Sequence, residues 1–342
     1  MSNSPFAEIT IANEAHGFSC AYGDTLLRAG LRAGIGLSYE CNAGSCGTCK
    51  IDLLEGDLVD LYPDAPGIKQ RDRDRGRRLA CQSVPQGPCT IKSRISSDYV
   101  TPYPPRRQRA ALIAIRPITH DIREFSFKGE GAAGFLAGQY AMLVLEGAPA
   151  PRAYSMSNTG NPDGLWKFMI RRTPTGVVSA ALFGLSAGAT VELDGPFGLA
   201  FLREDSQRDI VCIAGGSGIA PMASILDAAA QHATLARRDA WLFYGGRGPA
   251  DVPQIDELLA HRLSGRDLQW HPVISVPALA EGTDWIGETG FVHELLPRKL
   301  LKPLTDYEYY LAGPPPMVEA TIRLLVAEND VPQSQLHFDR FF

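Results

Sequence analysis

The sequence lacks any run of apolar residues that approaches the ~20 needed to cross a bilayer as a helix. Its first residues, Met1 to Phe6, show neither the basic segment nor the apolar segment of a secretory signal. The excess of acidic charge is small, with a formal net charge of −5, and this disfavours nucleic acid as the main partner. We therefore expect a cytoplasmic protein that binds neither a membrane nor nucleic acid.

Patterns for two metal centres of oxygenases are also absent. The sequence contains no C-x-H…C-x2-H pair for a Rieske cluster and no Glu-x2-His pair for a di-iron site. Its composition, 45% hydrophobic and 21% charged, is that of ordinary globular domains, and the length suffices for about two or three of them. A self-contained oxygenase is therefore not expected.

What the sequence does contain is a compact group of cysteines. Cys41, Cys46 and Cys49 are spaced C-x4-C-x2-C, and Cys81 follows after 31 intervening residues. This is the ligand spacing of a plant-type [2Fe–2S] ferredoxin, whose cluster requires four thiolates. Glycines inside the loop would let backbone N–H groups approach the cluster sulfurs. The spacing predicts a [2Fe–2S] cluster on these four residues.

A zinc site and disulfides are the alternatives to a cluster. Zinc sites of this kind favour two C-x2-C pairs, and the sequence has one. Disulfides are disfavoured because nothing else in the chain indicates secretion. The remaining cysteines, Cys20, Cys89 and Cys212, lie in apolar or β-like stretches and are predicted to be small core residues.

The elements around the cysteines follow a recognisable order. Residues 6–12 and 16–20 read as two short strands, and Asp24 is expected to cap a helix that runs to about Ala33. A strand at 50–54 then follows the cysteine loop. This β-β-α-β order is that of the β-grasp ferredoxins.

A strongly charged segment, Lys69–Arg78, separates Cys49 from Cys81. One interpretation is a solvated loop with internal ion pairs. The other is a docking surface that steers an acidic redox partner electrostatically. The sequence leaves both open.

Proline and arginine between residues 98 and 109 indicate a semi-rigid linker and a domain boundary. We predict four segments, which are a ferredoxin domain at 1–98, the linker at 99–109, a β-barrel at 110–205 and an α/β domain at 206–342.

Secondary-structure patterns differ between the last two domains. Short β-like runs predict an antiparallel barrel, with strands at 111–116, 123–127, 139–145, 166–171 and 190–193 and one helix from Val177 to about Leu185. Strands and helices then alternate, as in a parallel α/β sheet of nucleotide-binding type, with strands at 209–214, 240–244, 268–274 and 307–312 and helices at 221–232, 253–263 and 315–328.

Two motifs in the barrel have the chemistry to bind a flavin dinucleotide. Arg152, Tyr154 and Ser155 can clamp a diphosphate, stack on a flat ring and hydrogen-bond a ring nitrogen; an ordinary strand edge is the alternative. Gly176 exposes N–H groups where a helix begins, and Ser179 lies in its first turn. A simple turn would explain that pattern too. A further turn, Asp194–Gly198, is expected to close the barrel.

The α/β domain has glycines where its first strand meets a helix. Gly216, Ser217 and Gly218 follow the strand, and Pro221 is expected to start the helix, so that a dinucleotide diphosphate can approach the backbone. The pattern is not G-x-G-x-x-G, so the dehydrogenase fingerprint does not apply, and a tight βα turn is the alternative.

Two other segments leave strands at the same predicted edge of this sheet. Gly313 and Pro314 end the last strand where α/β proteins bind ligands. Arg247 is able to meet a nucleotide phosphate and Asp251 a ribose hydroxyl, although both also fit a solvated loop.

Taken together, these motifs resemble the iron–sulfur flavoprotein reductases that serve bacterial aromatic-ring oxygenases, including those of toluene 4-monooxygenase and carbazole dioxygenase. The resemblance rests on Glu40–Lys50, Tyr62–Gly67 and the ending His337–Phe342. It implies a multidomain α+β and α/β protein, in which a β-grasp [2Fe–2S] ferredoxin domain precedes an antiparallel β-barrel FAD domain and a parallel α/β nicotinamide-nucleotide domain of the ferredoxin–NADP reductase superfamily.

The resemblance also implies roles for individual residues. Arg152, Tyr154 and Ser155 would bind FAD, with Ser155 near the flavin N5, and the diphosphate would be held by Gly176, Val178 and Ser179. The nicotinamide nucleotide would be seated by Gly216, Ser217, Gly218, Pro221, Arg247, Gly313 and Pro314. A terminal phenylalanine, Phe342, would cover the isoalloxazine ring until nicotinamide displaces it.

The implied activity is NADH-dependent electron transfer through FAD and [2Fe–2S] to a Rieske-type ferredoxin or an oxygenase component, with NADPH as a possible donor. Ala312 stands where many superfamily members carry a cysteine, which puts a thiol contribution in doubt. A reductase of the same build for a deoxysugar dehydratase or a demethylase, and a redox-sensing iron–sulfur protein, are the alternatives.

Overall fold

The computed structural model describes residues 6–12, 14, 16–148, 150–255, 258 and 268–342. The chain forms two compact units, Met1–Arg106 and Arg107–Phe342. Within the described residues, no helix combines the length and the apolar character that crossing a membrane requires.

The first unit is built on a five-stranded sheet with strand order β2-β1-β7-β3-β5 and a separate two-stranded sheet of β4 and β6. Its elements are β1 (Phe6–Ile11), β2 (Gly17–Ala21), α1 (Leu26–Arg32), β3 (Lys50–Glu55), β4 (Leu58–Asp60), α2 (Gln70–Arg73), β5 (Arg77–Leu79), β6 (Ser83–Pro85) and β7 (Cys89–Lys92). β1 runs parallel to β7 and antiparallel to β2. This is the predicted β-grasp arrangement.

Buried and exposed residues alternate along β1, so one face of the strand packs on the core. In β1 the side chains of Ile9 and Ile11 are buried, and the intervening residues are exposed. Cys20 and Cys89 are buried as well, as predicted for core residues.

The cap of α1 differs from the prediction. Thr25 occupies the N-cap, and its hydroxyl accepts a hydrogen bond from the Arg28 N–H. Asp24, expected to cap the helix, instead accepts a bond from the Thr25 N–H and pairs with Arg32 at 2.6 Å. Both residues can cap helices, so local sequence did not decide between them.

The second unit begins with the predicted antiparallel barrel. Its six-stranded sheet has the order β11-β10-β13-β8-β9-β12, with elements β8 (Arg106–Pro117), β9 (Ile122–Gly129), β10 (Tyr140–Val144), β11 (Arg152–Ser155), β12 (Leu165–Arg171), α3 (Val177–Phe183) and β13 (Thr190–Phe197). A bridge between Met156 and Phe168 links the two edge strands, so the sheet closes on itself.

Arg152 to Ser155 follow β10 and form a strand of their own. Two local predictions about the barrel differ from the structure. Residues 194–197, expected to be a turn, continue β13 and are buried. The end of the expected linker is also strand, since β8 starts at Arg106. Gly and Pro in the sequence marked these places as irregular, and sheet pairing overrides that local preference.

The rest of the unit is a parallel α/β sheet with strand order β17-β16-β15-β14-β18-β19. Its elements are β14 (Asp209–Gly215), α4 (Ile219–Gln231), β15 (Ala240–Gly246), β16 (Leu268–Ile274), β17 (Glu288–Thr289), α5 (Val292–Lys299), β18 (Tyr307–Gly313), α6 (Pro315–Ile322) and β19 (Leu336–Arg340). The helix predicted at 253–263 lies largely outside the described residues. The helix predicted at 315–328 ends at Ile322 and continues as a π-helical turn.

Burial explains why these strands read as continuous apolar runs. Every residue of β14 and β18 is buried, as expected for strands covered on both faces. Cys212 lies in β14 and is fully buried, as predicted. Because β14, β15 and β18 are parallel, their carboxyl ends, each a glycine, lie at the same edge of the sheet. The predicted nucleotide-binding motifs follow the strands at this edge.

Candidate functional site

The loop between α1 and β3 carries three of the four predicted cluster ligands. Cys41 and Cys46 are half-buried, whereas Cys49 and Cys81 are buried. Cys81 reaches the loop because β5, just before it, pairs with β3, just after Cys49. The sulfur atoms of Cys49 and Cys81 lie 3.3 Å apart although 32 positions separate the residues.

Glycine is required where this loop turns. Gly44 and Gly47 have φ values of +86° and +76°, which residues with a side chain rarely adopt. A β-carbon on Gly47 would lie 2.3 Å from the Gly67 carbonyl oxygen. The Gly67 N–H in turn donates to the Gly44 carbonyl at 2.9 Å. A second segment therefore packs directly on the cysteine loop.

The cysteine sulfurs accept hydrogen bonds from the loop backbone. The N–H groups of Ala43 and Cys46 point at the Cys41 sulfur from 3.5 and 3.4 Å, and the Thr48 N–H points at the Cys46 sulfur from 3.5 Å. Such donors stabilise sulfur that carries negative charge and so favour thiolate and a reduced cluster.

The thiols are arranged in two pairs. A hydrogen bond from Cys41 lowers the pKa of Cys46 to about 5, and one from Cys49 lowers the pKa of Cys81. All seven cysteines are free, so the structure contains none of the disulfides considered above. Four neighbouring cysteines, two of whose sulfurs accept backbone hydrogen bonds, around a loop whose turns require glycine, fit a [2Fe–2S] cluster.

The predicted flavin-binding residues lie along β11, at the edge of the barrel sheet. Arg152 is exposed, Tyr154 packs against the barrel core, and Ser155 is buried. Burial raises the pKa of Tyr154 to about 12, so its phenol remains protonated and able to donate. The strand thus presents a cation, a ring and a hydroxyl in succession, which fits a flavin dinucleotide.

The second flavin motif forms the start of α3, with Gly176 at the N-cap. Val178 and Ser179 are buried. The Ser179 hydroxyl donates to the Gly176 carbonyl at 3.0 Å and accepts from the Thr173 N–H at 3.2 Å. The Val178 side chain is buried and the Ser179 hydroxyl is bonded within the protein. The groups of this turn that can bind a phosphate are therefore the backbone N–H groups at the start of the helix.

The two glycine turns of the α/β sheet touch one another. A β-carbon on Gly218 would lie 2.0 Å from the Ala312 carbonyl oxygen, and one on Gly313 would lie 3.0 Å from the Gly215 nitrogen. Gly216 has φ +58°. Because a side chain on Gly218 or Gly313 would collide with the other turn, glycine is required for the two turns to meet at this edge of the sheet.

A cavity of about 500 Å³ lies at this edge. Its wall includes Gly216, Arg247 and Pro314 among the predicted nucleotide-binding residues. Gly218 and Pro221 are buried in the turn and in α4, and Pro221 is the third residue of that helix rather than its first. Neither residue is part of the cavity wall, so their contact with a nucleotide stays a prediction.

Four charged residues meet at the cavity. Arg247 donates to the carboxylate of Asp251 from its backbone N–H, Nε and a terminal nitrogen at 2.9, 3.0 and 3.1 Å. Arg171, from barrel strand β12, donates to Asp121 at 2.6 Å. Arg171 and Asp251 are 3.9 Å apart, as are Arg247 and Asp121. The cavity wall therefore combines two arginines with two carboxylates.

The chain ends beside the same sheet. β19 pairs in parallel with β18, and the Phe341 N–H donates to the Gly313 carbonyl at 2.9 Å. Phe341 packs partly on the core, whereas 62% of Phe342 is exposed. The terminal ring is thus available to a ligand, while its neighbour is partly held.

Comparison with known proteins agrees with this division of sites. Three family descriptions match in order: "2Fe-2S iron-sulfur cluster binding domain" at 9–86, "Oxidoreductase FAD-binding domain" at 109–201 and "Oxidoreductase NAD-binding domain" at 212–323. Ferredoxin–NAD(P)(+) reductase CarAd of Metapseudomonas resinovorans is 41% identical over 98% of this chain and 99% of its own length. The chain belongs to the iron–sulfur flavoprotein reductases.

Other members of this reductase family match over nearly the full chain. The ferredoxin–NAD(+) reductase component of the Xanthobacter autotrophicus alkene monooxygenase system is 36% identical over 96% of this chain and 99% of its own. The solved ferredoxin reductase of carbazole 1,9a-dioxygenase has a TM-score of 0.89 at 36% identity, covering 98% of each chain. The predicted fold, the oxidoreductase class and the three cofactors, [2Fe–2S], FAD and a nicotinamide nucleotide, are therefore confirmed.

Sequence reasoning missed two charged residues of this reductase's cavity. Asp121 lies in the loop between β8 and β9, and Arg171 ends β12. Arg171 also lies close to the glycine turn, 3.5 Å from where a β-carbon on Gly216 would be. The doubled arginine at 171–172 was the available signal, but nothing local identified Asp121 as a partner 50 positions away.

Proposed function

We propose that this chain is the NADH-dependent reductase component of a multicomponent aromatic-ring oxygenase. The observation that carries the proposal is the full-length similarity to reductase components, joined to three cofactor sites in one chain. Xylene/toluene monooxygenase electron transfer component XylA of Pseudomonas putida, for example, is 34% identical over 99% of this chain.

The proposed electron path runs from NADH to FAD, then to [2Fe–2S], and then to a separate protein. When bound, FAD accepts a hydride and releases electrons singly, which allows a two-electron donor to serve a one-electron carrier. The protein's contribution is position. Gly216, Gly313 and Pro314 seat the nucleotide, and Ser155 is assigned to the flavin N5, where it orients the ring for hydride transfer.

The acidic partners of the two arginines support NADH over NADPH. A 2′-phosphate needs a cation that is available to it, whereas a ribose hydroxyl is satisfied by a carboxylate. Arg247 and Arg171, the arginines of the described cavity wall, are each paired with a carboxylate. We therefore assign Arg247 and Asp251 together to the adenosine ribose.

At the flavin, we assign the exposed ring of Phe342 to covering the isoalloxazine until nicotinamide displaces it. Arg152, Tyr154, Gly176, Val178 and Ser179 are assigned to FAD. Cys41, Cys46, Cys49 and Cys81 are assigned to the cluster.

The acceptor that this proposal favours is a Rieske-type ferredoxin or the oxygenase component itself. One relative supports a second candidate function. The reductase subunit of an aromatic O-demethylase from Amycolatopsis is 32% identical over 94% of this chain. A demethylase partner would use the same electron path and the same three sites.

An anaerobic titration with NADH, repeated with NADPH, tests the proposal. Visible absorption reports flavin reduction, and low-temperature EPR reports the reduced cluster. Flavin bleaching with a reduced-cluster signal at stoichiometric NADH is expected. A flavin that NADH leaves oxidised would refute the path at its first step, and a silent cluster would refute it at its second. Slow turnover with every artificial acceptor would favour a redox sensor.

A further inference from the structure

A basic surface adjoins the cluster loop of the first unit. The segment Lys69–Arg78 contains six basic and two acidic side chains, in a chain whose formal net charge is −5. Lys69, Arg71 and Arg75 are exposed. Among the described residues, none of these three side chains has a hydrogen-bonding or ion-pairing partner. Their charges therefore face solvent uncompensated by direct contact.

The other charges of the segment hold it in place. Asp72 pairs with Arg77 at 3.1 Å and with Lys50 at 3.5 Å. Arg73 pairs with Asp60 and also donates to the Tyr62 carbonyl at 3.5 Å. The two interpretations of this segment, a loop with ion pairs and a docking surface, thus apply to different side chains. Asp72, Arg73 and Arg77 form ion pairs, whereas the side chains of Lys69, Arg71 and Arg75 remain available.

This segment is attached to the cluster ligands on two sides. Lys50 directly follows Cys49, and its ion pair with Asp72 ties α2 to that ligand. The Ala80 N–H, one residue before Cys81, donates to the Cys49 carbonyl at 2.9 Å. The basic surface therefore lies within a few residues of two ligands, Cys49 and Cys81.

Two apolar side chains extend the basic surface toward the cluster loop. Leu61 and Tyr62 are 54% and 43% exposed. The Tyr62 ring lies 3.2 Å from where a β-carbon on Gly44 would be, so it borders the loop itself. An apolar patch beside exposed charges is the composition of an interface with a centre and a polar rim.

We propose that Leu61, Tyr62, Lys69, Arg71 and Arg75 form a docking surface for an acidic one-electron acceptor protein. This inference rests on the proposed function, which requires a separate acceptor. Opposite charge raises the rate of encounter, and contact next to the cluster shortens the path of the electron. The acceptor gains one electron as the cluster is oxidised, so one NADH reduces two acceptor molecules and yields NAD⁺ and a proton.

The test compares two haem proteins as probes, acidic cytochrome b5 and basic cytochrome c. The charge-reversed variant Arg71→Glu/Arg75→Glu is expected to reduce cytochrome b5 about tenfold more slowly than the parent at low salt. Its rate with cytochrome c should rise. Both differences should shrink as ionic strength increases from ~0.02 to ~0.2 M, because salt screens exposed charges. The neutral variant Arg71→Gln/Arg75→Gln should fall between the two.

The matched control is Arg109→Glu/Arg237→Glu, which makes the same change of net charge at exposed arginines of the second unit. It should reduce cytochrome b5 at the parent rate. An equal loss in this control would show that net charge alone matters, and would overturn the docking surface. Parent-like rates with cytochrome b5 in the charge-reversed variant would overturn it too.

Two further measurements separate this inference from the proposed function. NADH-driven ferricyanide reduction and anaerobic reduction of the cluster by NADH should match the parent in all variants. If charge reversal slows cluster reduction itself, the surface serves transfer inside the chain and the inference is wrong. If the unsubstituted chain fails to reduce its cluster with NADH, the proposed function fails instead.

Discussion

The carboxylate of Asp251 holds Arg247 at three points, the backbone N–H and two guanidinium nitrogens, all within 2.9–3.1 Å. This bonding lowers the pKa of Asp251 and raises that of Arg247. Each residue was a separate candidate for nucleotide recognition in the sequence. In the structure they form an ion pair at the cavity wall, and their opposite charges compensate each other.

Removing the negative charge should weaken the discrimination between the two nucleotides. In Asp251→Asn the Arg247 guanidinium is released for a 2′-phosphate, and we expect kcat/KM for NADPH to rise about tenfold, or ~1.4 kcal/mol. Steady-state ferricyanide reduction with each nucleotide measures this. Asp163→Asn, at an exposed position of the barrel, is the control and should leave the ratio unchanged. If Asp251→Asn leaves the ratio of kcat/KM for NADPH to that for NADH unaltered, Asp251 takes no part in discriminating between the nucleotides.

Replacing Gly47 tests the architecture of the cluster loop. Gly47→Ala places a β-carbon 2.3 Å from the Gly67 oxygen at φ +76°, and we expect most of the iron to be lost while FAD is retained. Gly34→Ala is the matched control, because Gly34 has the same φ of +76° and no atom within 4 Å of the added carbon. It should keep its iron and lose only ~1 kcal/mol of stability. Equal iron contents in the two variants would contradict the steric argument.

Cys46→Ser tests the ligand assignment directly. The serine hydroxyl does not ionise near neutral pH, so we expect loss of the cluster's visible and EPR signals with FAD still bound. Cys89→Ser provides a control at a buried cysteine outside the loop. A normal cluster in Cys46→Ser would show that this residue is not a ligand.

The two terminal phenylalanines should separate into different roles. Phe342→Ala should change NAD⁺ affinity or flavin fluorescence and leave thermal unfolding unchanged, because 62% of the ring is exposed. Phe341→Ala should lower the unfolding temperature, since its ring packs on the core. If Phe342→Ala binds NAD⁺ as the parent does and its flavin fluorescence is unchanged, Phe342 does not cover the isoalloxazine ring.

The sequence predicted best what depends on local spacing. The four cysteines, the buried strands such as β14 and the glycine turn after it are each encoded within a few residues, and the structure has them where expected. Ambiguous local chemistry led to a wrong prediction at Asp24 and Thr25, because both residue types can cap a helix. Contacts between distant segments had no local signal. The pairing of Arg171 with Asp121 arises when β9 pairs with β12, and the approach of Arg171 to Asp251 arises only when the barrel meets the α/β sheet within one unit.

The short distance between the sulfur atoms of Cys49 and Cys81 has a consequence for handling this protein in air. Two buried thiols whose sulfur atoms lie 3.3 Å apart are close enough for an oxidant that removes two electrons to join them as a disulfide. A chain that loses its cluster aerobically would then hold two of its ligands in a form that no longer accepts iron. Rebuilding the centre would therefore require a thiol reductant first, with iron and sulfide added afterwards under argon.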